Sequence, residues 1–152
     1  MLLINSLSRS LHFYQLSHPY KLIGTVKNVC TNYNKGLIEL SNGHVAASDS
    51  DPPCIYIVDP QRYKVIATIE DKEYIPSSGP LYAFGNNSFI YVPLSGGYLC
   101  EITMINGEYK NTFNTKESDD DLYGFCICLL NDGKYLISSN RYGGCSIFNC
   151  RY

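Results

Sequence analysis

Four short segments, each an apolar run closed by a polar residue, recur along this chain at an almost constant interval. They are His12-Phe13-Tyr14-Gln15, Tyr56-Ile57-Val58-Asp59, Cys100-Glu101-Ile102-Thr103 and Ser146-Ile147-Phe148-Asn149. The closing residues Gln15, Asp59, Thr103 and Asn149 stand 44, 44 and 46 residues apart. Turn chemistry keeps the same step. Sixteen residues before the last three anchors come Gly43, Asn87 and Gly133, inside Ser41-Asn42-Gly43, Gly85-Asn86-Asn87 and Asn131-Asp132-Gly133. Six residues before all four come Arg9, Pro53, Gly97 and Gly143, each in a Ser, Pro or Gly turn.

A unit of about 45 residues built from short strands and tight turns is one supersecondary element that cannot bury both its faces alone. The pattern predicts an all-β, propeller-like array of four-stranded antiparallel blades. With strands lettered a to d from the centre outward, the second unit holds all four: Gly36–Leu40, His44–Ser48, Cys54–Val58 and Lys64–Ile69. The third repeats them with Leu81–Phe84, Phe89–Val92, Tyr98–Ile102 and Tyr109–Phe113. The first unit holds only b, c and d (Leu2–Ile4, Leu11–Tyr14, Lys21–Val26), and the last only a, b and c (Tyr123–Leu130, Tyr135–Ser138, Cys145–Phe148). The expectation is one partial propeller domain over 1–152, about three and a half blades, with units near 1–26, 27–70, 71–115 and 116–152. Its ends leave apolar blade faces and strand edges uncovered, which predicts self-association or a longer parent chain.

Composition sets the bounds. Of 152 residues, 45% are hydrophobic and 17% charged, enough apolar material for a core, and 14 Tyr without a Trp favour strands over long helices. No window shows a sustained 3.6-residue period. The net charge of −2 comes without a Lys/Arg cluster, so neither nucleic acid nor a membrane is an expected partner. Met1–Ile4 is too short for a secretion signal and reads as a strand. Seven cysteines, an odd number with no Cys-x-x-Cys, argue against a disulfide framework and a zinc site, and point to a reducing, cytoplasmic setting.

Chemistry-bearing residues are scattered. His12, His18 and His44 have no second His or Cys at metal spacing, and no nucleophile elbow or phosphate loop occurs. Glu39 and Glu101 are isolated acids, so no metal, cofactor or catalytic residue is expected. Ser118, followed by three aspartates, looks like a substrate of an acidophilic casein-type kinase. The stretch Asp49-Ser50-Asp51-Pro52-Pro53 reads as an exposed turn on the rim opposite Ser118. Tyr63, Tyr74, Tyr82 and Tyr142 are candidate loop contacts, because Tyr gives large contact area at low entropy cost.

The period, turn placement and strand hydrophobicity resemble the WD-repeat family, best over Leu40–Ile69, where Ile57-Val58-Asp59 stands at that family's apolar-Trp-Asp ending. The Trp position holds Tyr14, Val58, Ile102 and Phe148, and only Asp59 keeps the acid. Gly96-Gly97 and Gly143-Gly144 are similar to the kelch pattern, which stays open as an alternative. The resemblance implies a non-catalytic scaffold that binds protein or peptide partners in an intracellular assembly. The alternatives are a segment of a propeller enzyme, of metal-dependent hydrolase type, and a truncated product without an independent role.

Overall fold

Gly43 and Gly107 turn the chain back on itself at φ of +81° and +83°, a conformation that costs a residue without a Cβ nothing. At Asn106-Gly107 both residues are left-handed, the two-residue hairpin turn whose twist suits its strands. At Ser41-Asn42-Gly43 only Gly43 is, and the bonds Gly43 N to Leu40 O (2.8 Å) and Leu40 N to His44 O (2.8 Å) close a three-residue loop instead. A Cβ added at either glycine would meet nothing within 4 Å, so only the backbone limits a substitution there. Gly43→Val and Gly107→Val should each cost about 1 kcal/mol. Urea unfolding midpoints unchanged in both variants would count against these turns.

The computed structural model describes residues 2–6, 9–29, 36–70, 79–85, 87–92, 98–116, 126–129, 135–139 and 145–149. Among them are fourteen strands in four antiparallel sheets, each ordered as the chain runs. The first holds β1 (Leu2–Ser6), β2 (Ser10–Tyr14) and β3 (Leu22–Lys27). The second holds β4 (Leu37–Glu39), β5 (Val45–Ser50), β6 (Pro53–Asp59) and β7 (Lys64–Ile69). The third holds β8 (Leu81–Phe84), β9 (Ser88–Tyr91), β10 (Tyr98–Ile105) and β11 (Glu108–Lys116). The fourth holds β12 (Cys126–Leu129), β13 (Tyr135–Ser139) and β14 (Cys145–Asn149).

The repeat extends to a defect. In each of the first three sheets the c–d pairing slips one or two residues before the anchor, between Phe13 and Tyr14, Ile57 and Val58, and Glu101 and Ile102. Each slip leaves one extra residue on the outer strand, namely Ile23, Ile66 and Thr112, and all three are exposed. A bulge bends and twists a strand, and here it does so at one point of every described c–d pair.

Sheets meet face to face through two apolar clusters. Leu11, Phe13 and Val26 of the first sheet meet Val45, Ala47 and Val58 of the second. The opposite face of the second, Ala46, Ile55 and Ile57, meets Phe89, Tyr91, Cys100 and Ile102 of the third. A strand covered on both sides loses the alternation of a half-buried one, and β5 is buried from Val45 through Asp49. Its small Ala46 and Ala47 let large partners seat from either side. Tyr63 finds similar room over the first sheet. Its ring lies 5.5 Å from that of Phe13 at 59°, over Gly24, where any Cβ would run into it.

The first sheet's outer face differs from these covered ones. The register that turns Leu11, Phe13 and Val26 inward turns Ser10, His12, Tyr14, Thr25 and Lys27 outward, with His12 Nδ1 and Thr25 Oγ1 3.1 Å apart. The expected apolar face is thus a mixed one, because alternation puts the polar half of β2 and β3 on that side. Among the described residues no ring closure is seen, and no helix is long and apolar enough to cross a membrane.

Candidate functional site: two rims built from turns

One rim carries the a–b and c–d turns. Ser41 Oγ donates to Asn87 Oδ1 (3.1 Å) and accepts from Asn87 N (2.8 Å), tying the inner turns of the second and third sheets together. Beside this tie Asn42 Nδ2 donates to Tyr109 Oη at 3.0 Å, and reaches Met104 Sδ at 3.8 Å. His44 Nδ1 lies 3.3 Å from the same Tyr109 oxygen, and His44 N donates to Asn42 Oδ1 at 3.0 Å. Burial raises the Tyr109 phenol above its ordinary pKa, partly offset by the Asn42 bond, so the hydroxyl keeps its proton.

This group has usable proton chemistry. If Nδ1–H donates to Tyr109 Oη, which already accepts from Asn42, then Nε2 is left with a lone pair and is a base. If Tyr109 O–H donates to Nδ1, then Nε2 carries the proton and is a hydrogen-bond donor. Asn42, His44 and Tyr109 are all half-buried, so the imidazole reaches solvent on one side. The sequence reading missed this grouping, since Tyr109 is 65 residues from His44 and no motif joins them.

The opposite rim carries the b–c turns. Ser48 Oγ donates to Gly79 O at 2.8 Å, which places the second sheet's b–c turn beside the residues leading into β8. The expectation for Asp49–Pro53 is corrected twice. Asp49 is buried at 1% exposure, with Oδ1 accepting from Ser50 N (2.7 Å) and Asp51 N (3.4 Å), and only residues 51–53 project. An antiparallel meander also puts b–c turns and d–a connections on one rim, not opposite ones, since a starts where b ends. Ser118 itself lies outside the described residues.

Opposite Asp49 in the ladder stands Cys54, a buried free thiol. Burial pushes it up from 9.0 to about 11, the Asp49 and Glu70 charges add to this, and a bond from Tyr56 opposes it. Tyr91, also buried, is raised by burial with Cys100 and Cys54 adding, and its hydroxyl has no hydrogen-bond partner among the described residues. Folded Cys54 keeps its proton between pH 9.0 and about 11, where the unfolded chain has released its own. The folded state then binds more protons, so stability is level below pH 9.0 and falls as pH rises through that window. Urea titrations should show the fall, and Cys54→Ala should lessen it; an equal fall in the variant would place its cause elsewhere.

The other expected contacts disperse. Tyr63 belongs to the interface with Phe13, and Tyr82 lies within β8, half-buried, not in a loop. Tyr74 and Tyr142 lie outside the described residues. Glu39 is exposed on β4, whereas Glu101 accepts from Thr103 Oγ1 at 3.4 Å on β10. His18 lies edge-on to Tyr20 at 6.0 Å. Among the described residues no three His, Cys, Asp or Glu side chains gather as a metal set.

No family model and no curated protein matches the chain. Solved structures do share its fold. A candidate 6-phosphogluconolactonase from Bacteroides uniformis ATCC 8492 is 14% identical with a TM-score of 0.69, over 98% of this chain and 52% of its own. Virginiamycin B lyase from Staphylococcus aureus is 12% identical with a TM-score of 0.66, over 95% and 50%. Dihydro-heme d1 dehydrogenase NirN, in complex with DHE, is 17% identical with a TM-score of 0.75, over 97% and 32%. The chain thus spans a third to a half of the length of these proteins.

These findings correct the expectation of a non-catalytic WD-repeat scaffold. Three of the structures that share the fold bear the names of a candidate lactonase, a lyase and a dehydrogenase, and no WD-repeat family is shown. The lack of a linear motif is no guide here: the grouping of Asn42, His44 and Tyr109 is itself assembled from two separate units. At 12–17% identity the likeness extends to fold alone: the chain is a partial, β-propeller-like array of antiparallel sheets.

Proposed function

We propose that this chain is a segment of a propeller enzyme of hydrolase type that opens a cyclic ester. The observation that carries this reading is the match of 98% of the chain to half of a candidate lactonase. The rim group supports it. In its basic tautomer His44 Nε2 takes a proton from water as the oxygen attacks the ester carbonyl, and returns it to the ring oxygen as the C–O bond breaks. Tyr109 holds Nδ1 and Asn42 holds Tyr109, so the imidazole is oriented from behind. Kinship with WD repeats is kept as a proposal about descent, supported by Asp59, whose Oδ1 accepts from Gln61 N (2.8 Å) and Arg62 N (3.2 Å) to close the c–d turn.

A lactonase and esterase screen of the purified chain, 6-phosphogluconolactone included, tests the reading. Turnover is expected, with kcat falling on the order of 10²-fold in His44→Gln. Absence of turnover on every lactone and ester would overturn the enzyme reading. Turnover untouched by His44→Gln would overturn the assignment of the rim group while leaving the enzyme reading in place. Metal analysis alongside would show whether a divalent ion is held by ligands outside the described residues.

A further inference from the structure

We infer that Met104 is an oxidant-sensitive modification site whose sulfoxide oxygen is taken by the Asn42 amide, at the edge of the rim group. Met104 stands directly opposite Tyr109 in the β10–β11 ladder, so the two side chains share one face. Its backbone N donates to Asn87 O at 3.0 Å, and Asn87 is tied in turn to Ser41 of the second sheet. The main chain thus fixes the residue in place, whereas the thioether keeps three rotatable bonds. Met104 is half-buried and adjoins the exposed stretch Ile105–Glu108, which leaves it open to a small oxidant.

The partner for an added oxygen is already aimed. Asn42 Nδ2 donates to Tyr109 Oη at 3.0 Å and to Met104 Sδ at 3.8 Å, while Oδ1 accepts from His44 N at 3.0 Å. The amide therefore cannot flip without losing the bond from His44 N. Of its two donations the one to sulfur is the weaker, because a thioether is a poor acceptor. A sulfoxide oxygen is a better one, and the spacing suits it. With an N···O separation of about 2.9 Å and an S–O bond of about 1.5 Å meeting at about 120°, sulfur and nitrogen stand about 3.9 Å apart. The observed 3.8 Å admits the oxygen with neither Asn42 nor the backbone displaced. Hydrogen peroxide supplies the atom. The sulfur lone pair attacks one peroxide oxygen, the S–O bond forms as O–O breaks, and the departing hydroxide takes the proton of the transferred oxygen to leave as water. The thioether loses two electrons and the peroxide gains them. A sulfoxide formed in a core puts a polar group into apolar packing. Here it exchanges a weak N–H···S bond for N–H···O, and Tyr109 and His44 keep their places.

Dilute hydrogen peroxide on the 152-residue chain tests this, with Met104→Leu treated alike to carry whatever Met1 and the seven cysteines take up. Peptide mass spectrometry should show Met104 gaining one oxygen, about 16 Da. In 15N-labelled wild type the Asn42 side-chain amide proton should move downfield as its acceptor changes from sulfur to oxygen. The urea midpoint should fall no further on oxidation in wild type than in Met104→Leu. In Asn42→Ala it should fall further, since the sulfoxide there has lost its donor. Met104 left unoxidised under conditions that convert free methionine overturns the inference. So does an Asn42 amide proton that stays where it was, or a fall in midpoint equal in wild type and Asn42→Ala. The amide proton is read on wild type, so it decides the matter even where Asn42→Ala does not fold. No outcome uses turnover, so the modification and the enzyme reading stand or fall separately.

Discussion

Phe89→Ala should lower the free energy of unfolding by about 4 kcal/mol. Phe89 is fully buried on β9, in the cluster that joins the second and third sheets, where it faces Ala46, Ile55 and Ile57 and its ring lies 6.2 Å from that of Tyr109. Truncation removes one of the largest fully buried side chains of this interface. The hole cannot collapse cheaply, because both walls are hydrogen-bonded sheets and the residue opposite is already an alanine. A urea titration would measure the loss, with the exposed Ile105→Ala as the control. A cost near that of the control would mean that the two sheets do not bear on each other as described.

Gly36→Val should be nearly as damaging, at about 3 kcal/mol, for the opposite reason of too little room. Gly36 leads into β4, the inner strand of the second sheet, and a Cβ there would lie 2.6 Å from Gly79 O, 2.7 Å from Leu81 Cγ and 2.9 Å from Leu81 N. Two of those three atoms are backbone of the segment leading into β8, so relief requires moving an inner strand. Gly36 O also accepts from Ser48 N at 3.0 Å, which fixes it from the other side. Thermal denaturation should show the variant well below wild type, and Gly36→Ala between them. An unchanged melting temperature would show that β4 and β8 are free to separate.

Much of the fold was legible because turns and strands are local. The Asn106-Gly107 and Asn42-Gly43 turns announce themselves by residue type, and the expected bounds of Lys64–Ile69 and Leu81–Phe84 match β7 and β8. What stayed hidden depends on how one sheet lies against the next. Asp49 has the sequence of an exposed turn, yet it is buried near the end of β5, on the face that carries Val45 and Ala47. Tyr63 looks like a loop aromatic until Phe13 and the bare backbone of Gly24 are brought under it. The rim group joins Asn42 to a residue 67 positions away, a separation at which spacing carries no signal. A grouping whose members come from different units leaves no contiguous motif.

The apolar clusters and the cross-sheet hydrogen bonds described here join a sheet to its immediate neighbour and no further. Coupling in such a chain is short-ranged, like that of beads that sense only the next bead. A duplicated or deleted unit of 44 residues would therefore disturb one junction and leave the others as they were. The number of blades is then not written into any single blade. It is left to the junctions between sheets, where Ala46 meets one neighbour and Ala47 the other.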